Sequence, residues 1–99
     1  MARRRRFSAE PFGRTVEQLM GEQGVTYRGL AERSGLSAGY LNHLVHDNRP
    51  VPSNEVIDRL AEALGIKPEH FREYRLRVIT QRLAATRELA DRLYQRLST

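Results

Sequence analysis

Residues 30–45 read LAERSGLSAGYLNHLV, and the spacing of small and apolar side chains in this stretch decides the fold. Leu30 and Ala31 belong to one helical pattern, Leu41 and Leu44 to a second, and Gly35-Leu36 stand between them. Two helices that cross steeply through a tight turn make particular demands at these positions. A small residue is needed where the second helix crosses the first, and Ala31 supplies it. Four positions later the turn needs a residue at ease with positive φ, and Gly35 supplies that. Leu36 follows as an apolar plug. Leu41 and Leu44, three apart, pin the inner face of the second helix, as Leu30 anchors the first. That second helix opens with Ser37-Ala38-Gly39-Tyr40, so it begins with almost no side chain.

Outward from this core, helix signals recur and strand signals do not. Val16, Leu19 and Met20 share a helical face that Gly24 can end in the left-handed conformation. Thr26 and Ser37 are good N-caps for the two helices of the opening stretch. HDNRPVP breaks the pattern, and Ser53 then caps a fourth helix with Val56, Ile57, Leu60, Ala61 and Leu64 on its apolar face, closed by Gly65. Pro68 suits the first position of a fifth helix, with Glu69 in its first turn. The expected fold is all-α: five helices over residues 13–72, a basic flexible arm over 1–12, and one or two further helices over 73–99.

At these residues the chain resembles a known family. LAERSGLSAGYLNHLV and NRPVPSNEVIDRLAEALGI are similar to the phage-repressor-like (XRE/Cro-like) helix-turn-helix domain, over roughly residues 13–71. The resemblance implies sequence-specific binding of duplex DNA, usually as a dimer on a partly symmetric operator, by a transcriptional regulator of repressor type. It also implies that the third helix enters the major groove and that the first turn of the second touches phosphates. By position, Ala38, Gly39, Asn42 and His43 then face bases, and Thr26, Tyr27 and Arg28 face phosphates. Asn48 and Arg49, in the loop after the third helix, meet the backbone, and the Tyr40 hydroxyl turns toward a phosphate. Family members often carry long polar side chains where this chain has Ala38 and Gly39. Small residues there either let the helix N-terminus approach DNA closely, with the Ala38 methyl able to meet a thymine methyl, or mark a surface that has drifted away from base reading; the first account is favoured. Asn42 is the best candidate base reader, because its amide can pair bidentately with adenine N6 and N7.

Charge is distributed unevenly along the 99 residues. Residues 1–12 carry four arginines against Glu10 (4 − 1 = +3), residues 13–71 carry six cations against eight acids (6 − 8 = −2), and residues 72–99 carry seven arginines against three acids (7 − 3 = +4). The net +5 thus resides at the two ends, and a polyanionic partner would draw on them. Arg3, Arg4, Arg5 and Arg6 form an arm able to follow the DNA backbone or enter a narrow minor groove.

Beyond residue 75, Leu76, Ile79, Leu83, Thr86, Ala90, Leu93 and Leu97 recur at spacings of three and four. A five-helix domain does not need this stripe, so it is assigned to dimerisation through Leu76, Ile79, Leu83, Leu93 and Leu97, or to packing on the domain. A parallel coiled coil would oppose Arg82 and Arg87, which favours an antiparallel or folded-back arrangement. Thr86, with Glu88 in the next turn, can cap a new helix, so a break is expected near Ala85 and Thr86.

Other chemistry is not expected. The chain has no cysteine, which fits a reducing cytoplasm. The start MARRRRFSAEPF lacks the apolar stretch of a secretory signal, and no window is apolar enough to span a bilayer. His43 and His46 have metal-ligand spacing beside Asp47 but lack a third ligand, so no metal or other cofactor is expected. No nucleophile–base set or glycine-rich phosphate loop points to an enzyme. The competing reading is an antitoxin-type or adaptor module whose main partner is a protein.

Overall fold

A computed structural model describes residues 7–46 and 49–98. The described residues form six α-helices and no strand: α1 (Phe12–Gln23), α2 (Tyr27–Ser34), α3 (Ala38–Val45), α4 (Asn54–Ala63), α5 (Arg72–Ala85) and α6 (Arg87–Ser98), with a single 3-10 turn at Pro68–His70.

Local chemistry sets the starts of α2, α3 and α4 and the ends of α1, α2 and α4. The side chains of Thr26, Ser37 and Ser53 each accept the backbone N–H three residues on, from Gly29, Tyr40 and Val56. Each therefore satisfies one of the N–H groups that a helix start leaves without a partner. At the other ends, Gly24 and Gly65 have φ of 66° and 68°. In both cases the residue after the glycine donates back to the carbonyl five positions earlier, Val25 to Met20 and Ile66 to Ala61, which is the Schellman arrangement. Gly35 (φ 77°) differs: its own N–H returns to the Ala31 carbonyl, and the chain starts α3 only three residues later. A Cβ there would be strained by φ alone.

The core is one cluster drawn from the helix faces expected to be apolar. Phe12, Val16, Leu19 and Met20 of α1 meet Leu30 of α2, Leu41, Leu44 and Val45 of α3, and Ile57, Leu60, Ala61 and Leu64 of α4 and its cap. Phe71 completes it, with its ring centroid 4.8 Å from that of Phe12. Helix α3 packs against both α1 and α2, and α2 against α4, so one side of α3 is fully used by the core.

Two features depart from the sequence reading. The fifth helix does not run from Pro68. After the 3-10 turn, Phe71 takes an extended conformation (φ −84°, ψ 128°) that turns its ring into the core, and α5 starts afresh at Arg72. The other departure concerns the expected arm of residues 1–12, whose described part, from Phe7, docks on the domain. Ser8 donates its N–H to the His70 carbonyl, its hydroxyl lies 2.7 Å from that of Thr15, and Arg75 donates to the Ser8 carbonyl at 2.8 Å. The Arg75 guanidinium also stacks 5.0 Å from the Phe7 ring centroid. The arginines of the arm lie outside the described residues.

The expected break after α5 is present, with Thr86 extended at φ −123°, ψ 91°. No residue of α5 or α6 is buried.

Candidate nucleic-acid interface

Helix α3 divides cleanly. Leu41 and Leu44 are buried inward, whereas Ala38, Gly39, Asn42 and His43 all lie exposed on the outer side. The helix carries no acidic residue, so nothing on it would repel a phosphate. Its first N–H groups, at Ala38 and Gly39, have no intrahelical acceptor and face the end left bare by small side chains. The fold does not demand that bareness. A Cβ on Gly39 would meet nothing within 4 Å, and its φ is not positive.

The start of α2 is the second exposed N-terminus of the motif. Thr26 is exposed, and its Oγ1 accepts the Gly29 N–H at 3.0 Å, which leaves the hydroxyl hydrogen to donate outward. Arg28 is exposed. Tyr27 is half-buried against the core. Its phenol is pushed above the ordinary value of 10.0, first by burial and second by the charge of Glu17, so it remains an O–H donor at neutral pH. Tyr40 is likewise half-buried and packs against the core. Arg49 is exposed after α3, and Asn48 lies outside the described residues.

One histidine of the pair, His46, has a structural use. His46 closes α3, and its Nδ1 lies 2.9 Å from the Asn42 carbonyl, so the ring is committed to a helix end. Among the described residues no three metal-ligating side chains come together. None of the described helices is long and apolar enough to cross a membrane.

The stripe residues on α5 and α6 are open. Leu76 and Ile79 are about half exposed (54% and 51%) and Leu97 is 76% exposed, while Leu93 is 37% exposed and Leu83 intermediate. Val78, Leu89 and Tyr94 widen the apolar surface beyond what the spacing indicated.

Sequence reasoning missed the role of two α5 residues beside the motif. Arg77 donates to the Pro52 and Val51 carbonyls and to the Asn54 side chain, and Glu73 accepts the Phe12 N–H. The two stand four apart, a spacing that reads as an ion pair along one helix face. Instead each turns to a different segment of the domain, which no local signal announces.

This arrangement is shared with known proteins. A family profile described as "Helix-turn-helix domain" matches residues 11–74. The HTH-type transcriptional repressor RghR of Bacillus subtilis is 38% identical over 60 residues, which cover 61% of this chain and 44% of the repressor. The chain thus spans less than half the length of that relative. Among solved structures, the restriction-modification controller protein C.AhdI from Aeromonas hydrophila is 34% identical with a TM-score of 0.57, covering 60% of this chain and 88% of its own. The clp gene regulator ClgR from Corynebacterium glutamicum is 36% identical with a TM-score of 0.53, covering 57% and 71%. The capped helices, the Gly35 turn and the family match coincide over the same residues: this chain belongs to the helix-turn-helix domain family.

Proposed function

We propose that the protein binds duplex DNA sequence-specifically as a dimer and regulates transcription in the cytoplasm, as a repressor, without enzymatic activity. The observation that carries this reading is the outer side of α3. It is exposed, free of acids, bare at its N-terminus, and held by a buried inner side on a Gly35 turn. An α-helix fits the major groove, where base edges are distinguishable. In this reading Asn42 reads a base, His43 and Ala38 contact base edges, and Gly39 allows close approach. Thr26, Tyr27, Arg28, Tyr40, Asn48 and Arg49 hold phosphates. Arg3, Arg4, Arg5 and Arg6 add the positive charge that residues 13–71 lack. The exposed apolar side of α5 and α6 supports pairing of two chains.

Selection of bound duplexes from a random pool, followed by titration at several salt concentrations, tests the reading. A recurrent partly symmetric site is expected, with affinity falling steeply as salt rises, by about 0.9 in log–log slope per phosphate neutralised. A chain that enriches no site and shows no salt-dependent duplex binding at low ionic strength would instead be the adaptor type, with a protein as its main partner.

A further inference from the structure

Residues 49–53 read RPVPS, and two of the five are prolines with no backbone N–H to donate. The segment therefore has carbonyls to satisfy and few donors of its own. Pro52 is buried and Val51 half-buried, so water reaches these groups poorly, and an unpaired carbonyl would be costly. Helix α5 meets the need. Arg77 Nη1 donates to the Pro52 carbonyl at 2.6 Å and to Asn54 Oδ1 at 2.8 Å, and Nη2 donates to the Val51 carbonyl at 3.3 Å. One planar guanidinium thus spans the end of the loop and the first residue of α4, a geometry that a lysine ammonium cannot reproduce. A partly open cleft of about 100 Å³ adjoins the loop, bordered by Pro11, Phe12, Leu44, Arg49, Val51 and Glu73. On the same helix Leu76, Val78 and Ile79 are exposed.

We propose that Arg77 is a positioning residue for DNA binding. It fixes the segment that carries Arg49 to α5, so the backbone-contacting loop is presented in one conformation and moves as a unit with the helix bearing the exposed apolar surface. This rests on the duplex-binding reading above.

The test uses the full chain with Arg77→Met, Arg77→Lys and, as a charge control, Arg82→Met in the exposed last turn of α5. Amide hydrogen exchange at Val56 and Ile57, whose N–H groups bond to Ser53 at the end of the loop, and affinity for the selected duplex are measured together. Both Arg77 variants are expected to exchange faster at these amides and to bind the duplex about ten-fold more weakly, because charge-assisted hydrogen bonds are lost. Arg77→Lys should do so with an unchanged salt slope, and Arg82→Met should leave exchange and affinity within about two-fold. If Arg77→Met does not fold, Arg77→Lys carries the test. Native exchange rates in the Arg77 variants overturn the proposal, as does native duplex affinity despite a loosened loop. An equal affinity loss in Arg82→Met overturns it as well, by assigning the effect to charge. A native chain that ignores duplex DNA sinks the regulator reading itself, and is told apart because the exchange measurement needs no DNA.

Discussion

The carboxylate of Glu73 accepts the backbone N–H of Phe12 at 3.1 Å, joining residues 61 positions apart. Phe12 opens α1, and Pro11 before it supplies no side-chain cap. Glu73 therefore does from α5 what a serine or aspartate would do locally, with its charge at the positive end of α1. Glu73→Ala is expected to destabilise the fold by about 1 kcal/mol, the usual loss for a missing cap, and Glu73→Gln by less because an acceptor remains. Urea unfolding of both variants checks this; unchanged stability in Glu73→Ala would mean that α1 does not depend on the contact.

Asn42→Ala is expected to weaken binding to a selected site by about 1–3 kcal/mol while hardly altering binding to random duplex. Competition titrations with both DNAs make the comparison. Equal losses on the two would place the Asn42 side chain against the backbone instead of a base.

Gly39 separates the needs of the fold from those of DNA binding. It sits in the first turn of α3 with open space around it and no positive φ. Gly39→Ala should stabilise the protein by roughly 0.5–1 kcal/mol, the ordinary gain for a helical position. Gly39→Leu should fold at least as well as the native chain yet bind duplex about ten-fold more weakly, because bulk now stands where the helix end must approach. Thermal unfolding and DNA titration on the same preparations decide it. Undiminished DNA binding by Gly39→Leu would show that this end of α3 stays clear of the duplex.

Ile79→Glu combined with Leu97→Glu should convert dimers to monomers. Leu97 is mostly exposed and Ile79 half exposed in the single chain, so the domain loses little burial, whereas a pairing surface would acquire buried unpaired charges. Sedimentation is expected to show the monomer–dimer dissociation constant raised about a hundred-fold, with the unfolding temperature of the domain little changed. Native self-association in the double variant would remove these residues from any interface.

Tyr27 predicts a loss of stability in alkali. Its folded-state pKa is raised, by burial first and by Glu17 second, so the folded chain holds this proton more tightly than the unfolded chain. The contribution is fully present below the ordinary phenol value near 10 and is lost as pH rises through the folded value. The native protein should therefore lose stability above about pH 10 more steeply than Tyr27→Phe does. Parallel slopes in denaturant unfolding at several alkaline pH values would count against it.

Much of this molecule is written locally. Thr26, Ser37 and Ser53 cap, Gly24, Gly35 and Gly65 stop, and Leu30, Leu41 and Leu44 face inward. Each depends on residues within about one helical turn, so spacing alone reveals it. The exposed outer side of α3 follows from the same periodicity. What tertiary structure decided lies between distant segments. Phe71 leaves the helical conformation because the core has a place for its ring against Phe12, which outweighs the local signal of Pro68 and Glu69 for a continuous helix. The docking of Ser8 on Arg75, of Phe12 on Glu73 and of residues 51–54 on Arg77 joins partners 67, 61 and 23 to 26 positions apart. In the sequence these α5 side chains look like any charges on a solvated helix face. A long polar side chain can serve water, an ion pair or a distant carbonyl with equal chemistry, and only the packing of α5 against the domain selects among them.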